Sequence, residues 1–481
     1  MHDRPPPAPT PAPRALAGLR AAMRPRAIIL SVVAAAIGLA VAAMPAPAGV
    51  PQSAITALAV TAFTVVLWAT IAVPQPYASM AFLLLILATG TASLRATLSG
   101  FTSFSLWLVF GGLMIGTAAD RTGFGRFVAR RFVGGFRGSY SDLVAGILAG
   151  STLLAFLVPA TMGRIAITVP VVMALAREAG YERGSPGYVG LVVAAVIGNF
   201  TIALAVLPGN LLNIMVVGSG ETMYGLAMPY MRYLLLAGPV LGLVKGLLVW
   251  WTIVRIYPAP PPRFSGEAAA EAPLGPPARR VGIILAAAIV AWALDFWHGL
   301  NPGLVALAAG LACMVPGLGP LGWRDGLDPK TLLILVWVAT VLGLGAVLAE
   351  AGASKLVSGA LADLARIEGQ SPLYGYFATA YLAALLAVLT TIGGAIPIVA
   401  TAVGGFAAVT GLPIEAGIMA IVAGMSALFL PFAAAPIMVG LAMGEVSPGA
   451  ATRFTLASSL LTCLIVIPLN ALWWRLIGAL P

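Results

Sequence analysis

The chain has 481 residues, 60% of them hydrophobic and 9% charged, with a mean hydropathy of +1.01. A soluble domain carries about a quarter charged residues, so this composition excludes one and fits a polytopic helical membrane protein. The net charge of +10 is scattered over the loops between apolar segments, which argues for membrane topology and against a nucleic-acid partner.

Residues 1–26, rich in Pro, Ala and Arg, read as a disordered cytoplasmic tail. A first span covers 27–44. The Pro-Ala-Pro-Ala that follows resembles a signal-peptide cleavage site, yet about 18 apolar residues exceed the ~7–15 of a signal core, favouring an uncleaved helix. With a second span at 53–73 it forms an N-terminal unit over 27–73. Spans at 78–93 and 103–119 open a first repeat, 77–256.

Leu143 to Ala176 is a long apolar run broken at Pro159-Ala160-Thr161-Met162-Gly163-Arg164. As one helix it would be roughly 50 Å long, too long for a core of about 30 Å. Cut at the break, it leaves two arms, 143–158 and 165–176, each short for a full span. A re-entrant hairpin fits better, because irregular backbone and a charge survive at membrane depth only when buried in protein or facing a wet cavity. A segment at 189–218, interrupted at Leu207-Pro208-Gly209-Asn210, and a span at 233–254 complete the repeat.

Residues 257–280 are Pro- and Ala-rich, without apolar period, and read as a cytoplasmic linker. A second repeat, 281–478, has spans at 281–299, 302–316 and 331–349. Then come a hairpin from Phe377 to Gly411 interrupted at Thr390-Thr391-Ile392-Gly393-Gly394, a segment at 416–443 broken around Pro431 and Pro436, and a last span at 455–478.

With the N-terminus inside, this map puts 19 Lys and Arg on the cytoplasmic side and 5 outside, as the positive-inside rule requires. The first hairpin then enters from the cytoplasm and the second from outside. The halves echo each other, Trp107 recurring as Trp337 and Pro208 as Pro431 at nearly the same spacing. Opposite entry makes the repeats inverted, an arrangement found in secondary transporters with the site at the repeat interface. The expected fold is therefore all-α and polytopic, with two inverted-topology repeats, each holding a re-entrant hairpin and a broken transmembrane helix.

Free amides at half-helix N-termini favour anions, and free carbonyls favour hard cations. Four breaks are expected to converge on one site. Thr161, Arg164, Asn210, Thr390 and Thr391 are the substrate-binding candidates. Ala160, Gly163, Asn199, Gly393, Gly394 and Ala434 are the cation-binding candidates, small residues or amides where backbone approaches an ion closely. Arg164 has two readings, an anion-binding group or a structural arginine near the cytoplasmic face. Intrahelical back-bonding competes for the threonines, and capping of the Pro208-Gly209 break competes for Asn210. Asp295 and His298 share a helix face and read as an interfacial pair, with a proton relay as the alternative. Lys245 is expected to snorkel, and Arg126, Arg130 and Arg131 to meet lipid headgroups. Cys313 and Cys463 lie in apolar segments without metal-ligand spacing, and His2 and His298 build no metal site together.

Three runs carry a family likeness. GGLMIGTAADRTGFGRFVARR (111–131), VPATMGRIAITVP (158–170) and LFLPFAAAPIM (428–438) resemble the glycine-rich span and arm, the first hairpin tip and the second broken helix of the divalent anion:sodium symporter (DASS) family, over about 77–478. The resemblance implies a homodimer with a scaffold part and an elevator-like transport part, carrying dicarboxylates, citrate or sulfate, commonly with Na⁺ as coupling ion and without a cofactor. The chain departs from the family pattern at Ala160 and Met162, where a hydroxyl and an amide are lost, and at Leu207, Gly209, Ala434 and Ile437. We expect a non-enzymatic secondary active transporter of small anions in the bacterial cytoplasmic membrane, with a proton-coupled or exchange transporter of another, weakly charged small solute, independent of Na⁺, as the alternative. No zinc, Ser-His-Asp or cofactor pattern supports an enzyme.

Overall fold

The computed structural model describes residues 14–133, 138–158, 160–264 and 274–481, and every regular element among them is helical. The helices are α1 (Arg14–Ala42), α2 (Gln52–Thr70), α3 (Gln75–Ala88), α4 (Phe104–Thr122), α5 (Phe124–Val133), α6 (Tyr140–Leu157), α7 (Thr161–Glu178), α8 (Pro186–Thr201), α9 (Leu211–Tyr224) and α10 (Tyr230–Ile256) in the first half. The second half has α11 (Pro276–Ala293), α12 (Pro302–Met314), α13 (Pro329–Glu350), α14 (Ser354–Ala365), α15 (Pro372–Leu389), α16 (Ile392–Thr410), α17 (Ile414–Met425), α18 (Ala435–Met443) and α19 (Pro448–Leu476), with short single turns between. Ten helices among the described residues are long and apolar enough to cross a membrane.

Proline sets many boundaries. Six helices (α8, α11, α12, α13, α15 and α19) begin on Pro186, Pro276, Pro302, Pro329, Pro372 and Pro448. There its fixed φ suits the helix and its missing N–H is one that would go unpaired anyway. Hydropathy alone starts several of them late, at 455 instead of Pro448 and at 377 instead of Pro372. The tail expectation also changes. Residues 14–26 are already helical, with Pro25 inside α1, while 1–13 lie outside the described residues, as do Pro159 and linker residues 265–273.

Both hairpins are present as helix–break–helix units, but their breaks are narrower than expected. A capping box between Ser139 and Asp142 starts α6. Both arms of the first hairpin are 18 residues long, because Thr161 to Arg164 form the first turn of α7 and not part of the break. In the second, Ile392, Gly393 and Gly394 are helical and the irregular residues are Thr390 and Thr391. The broken helices show the opposite deviation. Between α8 and α9 the chain runs through two 3₁₀ turns, Ile202–Ala205 and Leu207–Gly209, so the break extends over 202–210.

The packing crosses between the halves. The α7 arm of the first hairpin packs on α8 of its own half and on α18 of the other. The α16 arm of the second packs on α17 and on α9. Tyr224 fastens the latter contact, donating to Ala400 O at 2.7 Å and accepting from Gly404 N at 2.9 Å. Arg232 of α10 binds Glu415 of α17 through both carboxylate oxygens, at 2.9 and 2.7 Å.

Helices α4 and α12 approach at backbone distance. A Cβ on Gly111 would lie 2.1 Å from Ala306 O, and one on Gly303 would lie 2.2 Å from Phe104 O. Small residues allow such approach where apolar lipid offers no hydrophobic drive for association. Gly111→Val is therefore expected to force α4 from α12 and cost about 1–3 kcal/mol or more. Thermal unfolding in detergent reads this as a clear fall in Tm, and an unchanged Tm would refute the close contact.

Candidate functional site

A helix end leaves carbonyls without intrahelical donors, and burial makes each one costly unless something donates to it. The first broken helix exposes such groups from Asn199 to Gly209, and five side chains take them up. Arg164, wholly buried, spreads its guanidinium over three carbonyls. Nη1 donates to Val158 O at 2.5 Å, and Nη2 to Asn199 O at 2.7 Å and Gly209 O at 2.6 Å. Asn210 caps α9, its Oδ1 accepting from Leu212 N at 3.1 Å while its Nδ2 donates to Phe200 O at 3.1 Å. Asn213 donates to Ala203 O and Val206 O at 3.1 and 2.8 Å, and the Tyr233 hydroxyl donates to Leu204 O at 2.8 Å. Gly209 lies where a Cβ would come within 2.9 Å of Ala203 O, so the turn is tight enough to require glycine.

One arginine thereby ties the hairpin break at Val158 to the broken helix at Asn199 and Gly209. Thr161 joins the cluster, its Oγ1 donating to Gly209 O at 3.3 Å and accepting from Arg164 Nη2 at 3.2 Å. Asn199 supports it from behind, donating through Nδ2 to Ser151 Oγ, Thr168 Oγ1 and Ala195 O. The buried atoms Arg164 Nε, Asn199 Oδ1 and Asn213 Oδ1 have no hydrogen-bond partner here. Two of the three are amide oxygens, acceptors of the hard type that Na⁺ or a water would use.

The remaining candidates are elsewhere. Thr390 bonds back to Leu386 O at 2.7 Å, the intrahelical alternative. Thr391 caps α16, accepting from Gly394 N at 3.3 Å, and a Cβ on Gly393 would lie 3.3 Å from Trp337 Cζ2. Ala434 precedes α18 in extended conformation with φ of −134°. Ala160 and Gly163 are at the start of α7, where a Gly163 Cβ would make ordinary contact with Ala160 at 3.6 Å. Among the described residues no hydrogen bond joins the two hairpin tips. Thr161, Arg164, Asn199 and Asn210 therefore belong to one hydrogen-bonded cluster around the first break, and Thr390 and Thr391 bond within the second hairpin. A cavity of about 870 Å³ opens between Leu94, Arg95, Thr102 and Glu221, and no break residue lines it.

Two expectations change. Asp295 does not pair with His298. Its Oδ2 accepts from Met231 N at 3.0 Å, at the start of α10, and the His298 ring contacts Ala291 O and Leu300 N. Lys245 does not snorkel, being 1% exposed with its ammonium on Ser426 O. At the end of α4, Arg121 is tied to Asp325, whose carboxyl is held below the usual range first by Gly322 N–H and then by that guanidinium. The sequence reading missed Asn213, three residues after Asn210 on the same helix face. It also missed Glu221, which caps the start of α4 by accepting from Phe104 N at 2.8 Å and Ser105 N at 3.1 Å.

A model of the sodium:sulfate symporter transmembrane region matches residues 26–480. The chain belongs to the sodium:sulfate symporter family. Its described residues are all-helical in their regular structure, with ten helices long and apolar enough to cross a membrane. Relatives include a membrane protein of Cupriavidus necator, 23% identical over 65% of this chain and 66% of that protein. Others are dicarboxylate transporter 2.2 of Arabidopsis thaliana chloroplasts (26%, over 60% and 55%) and the putative malate transporter YflS of Bacillus subtilis (26%, over 50% and 51%). The chain spans from about half to just under two thirds of the length of these relatives. The crystal structure of the YdaH transporter of Alcanivorax borkumensis superposes with a TM-score of 0.49 at 16% identity, covering 80% of this chain and 88% of that one.

In this symporter-family member, Arg164→Lys is expected to strand at least one of the three carbonyls. Each hydrogen bond to a charged group contributes about 1.5–3 kcal/mol, so Tm in detergent should fall markedly. A Tm held within a degree, with weakened anion binding instead, would make Arg164 a ligand for substrate and not the brace of the break.

Proposed function

We propose that this protein is a secondary active transporter of small anions, of the dicarboxylate or sulfate class, and not an enzyme. The observation that carries the proposal is the pair of helical hairpins, each packed on a broken helix piece from the other half. In this reading half-helix ends meet inside the bundle, where anions and cations find complementary dipoles without carrying water into lipid. Family membership and relatives named for dicarboxylate and malate transport support the substrate class.

In this reading the two units, 77–256 and 281–478, are inverted repeats in a cytoplasmic membrane, with the N-terminus inside and re-entrant hairpins from opposite faces. Two copies pair as a dimer, and the hairpin-bearing part moves as a rigid body, elevator-fashion, against the rest. Thr161, Thr390, Thr391 and the α9 and α16 N-termini meet the anion. Asn199 Oδ1 and Asn213 Oδ1 meet the coupling cation, Na⁺ in the simplest case. A second reading, exchange or proton coupling without Na⁺, is favoured by the break carbonyls, many of which already have donors from the chain itself.

The decisive measurement is uptake of radiolabelled sulfate and malate into proteoliposomes, with NaCl outside or choline chloride in its place. Uptake of either anion above protein-free vesicles is expected, and flux of neither under any imposed gradient would sink the reading. Thr391→Ala is expected to raise the apparent KM for the transported anion about ten-fold, the loss of roughly one hydrogen bond to a charged ligand. An unchanged KM would remove the second tip from the site.

A further inference from the structure

The two broken helices satisfy their free carbonyls by different means. In the first, Asn213 donates to Ala203 O. Aligning the halves with Pro208 on Pro431 carries Ala203 onto Ser426, Asn210 onto Ala433 and Asn213 onto Pro436. Alanine and proline side chains donate nothing, so the second break lacks both amides. The carbonyl of Ser426, at the C-terminal end of α17, is buried along with its residue at 2% exposure. There the helix dipole and an unpaired acceptor together call for positive charge.

That charge is Lys245. Its Nζ donates to Ser426 O across 181 residues of sequence. It belongs to the buried stripe of α10, with Leu241 and Val249 both at 0% exposure on either side, while Leu243 and Leu247 on the outer face are 66% and 56% exposed. A π-helical stretch, Gly238–Val244, immediately precedes it. Such bulges shift the register of a helix and re-aim the side chains beyond them. Lys245 also lies about 16 Å along the helix axis from the Ile256 end, too deep for the ammonium to reach water along the helix. Its described partner is a carbonyl and not a carboxylate.

We propose that the ammonium of Lys245 is a built-in cation for the second break, occupying the position from which a metal ion would otherwise neutralise the end of α17, so that no metal ion binds there. The two breaks then differ in chemistry. The first sets the unpartnered oxygens of Asn199 and Asn213 beside the Arg164 guanidinium and keeps them for a mobile cation, and the second holds the ammonium of Lys245 in that place. The proposal deepens the transport reading and rests on it for one consequence, that any metal coupling uses the first break alone.

The test needs no flux, so it stands apart from the transport assay. Thermal unfolding of the purified chain in detergent is followed in NaCl against choline chloride at equal ionic strength. Lys245→Ala is expected to lower Tm in choline chloride and to recover at least about 2 °C specifically with Na⁺, beyond any Na⁺ response of the native chain, because a ligand selective for the folded state raises its apparent stability. Lys245→Arg, which keeps the charge, is expected to gain no such response. Lys245→Ala with native Tm and no added Na⁺ response would overturn the proposal. A second measurement holds even if that variant fails to fold. The chain has three lysines, Lys245, Lys330 and Lys355, and the latter two are exposed, so ¹³Cε-lysine labelling yields three resonances. The Lys245 resonance, assigned by its loss in Lys245→Arg, is expected to stay in place as choline is exchanged for Na⁺. A Na⁺-specific shift of that resonance alone would mean that a metal ion enters the second break, and would refute the proposal.

Discussion

A helix broken inside an apolar bundle leaves carbonyl groups that water cannot reach, and the interior of this protein depends on how those groups are satisfied. Arg164 does most of this work at the first break. It comes from the first turn of α7 yet binds the end of α6 at Val158, the end of α8 at Asn199 and the turn at Gly209. The hairpin break and both ends of the helix break, 35 to 45 residues further on, are thereby held at one point. Asn210, Asn213 and Tyr233 complete the set, so that the carbonyls of Asn199, Phe200, Ala203, Leu204, Val206 and Gly209 each meet a side-chain donor.

The same requirement explains the second break, where the corresponding positions carry Ala433 and Pro436. A donor must come from elsewhere, and α10 supplies it from the middle of its buried face. Arg164 and Lys245 thus have related roles with different partners, a fork over several carbonyls and a point charge on one. That difference follows side-chain chemistry, since guanidinium presents a planar array of donors and ammonium a compact charge. Between them the halves interlock, each hairpin resting on a piece of the opposite broken helix, with Tyr224 and the Arg232–Glu415 pair fastening the contact.

Much of the fold was legible in the chain. Apolar length located the spans, and Pro and Gly clusters located the breaks. Boundaries were less legible, because hydropathy does not register a polar first turn that begins on proline or is capped by serine, as at Pro448 and Ser371. Breaks at the hairpin tips looked wider than they are, since Gly163, Gly393 and Gly394 read as breakers yet sit inside helices.

Of the candidate site, the sequence by itself determined which residues are unusual for a membrane interior. Arg164, Lys245, Asn199 and Asn210 stand out because a charge or amide in an apolar span must find a partner. What those partners are was decided by tertiary structure alone. Arg164 and Asn199 are 35 positions apart, and Lys245 and Ser426 are 181 apart. No local periodicity encodes which carbonyl is left free at the end of a broken helix or which side chain reaches it. Composition announces that a buried charge must be answered, and only the packing of distant helices supplies the answer.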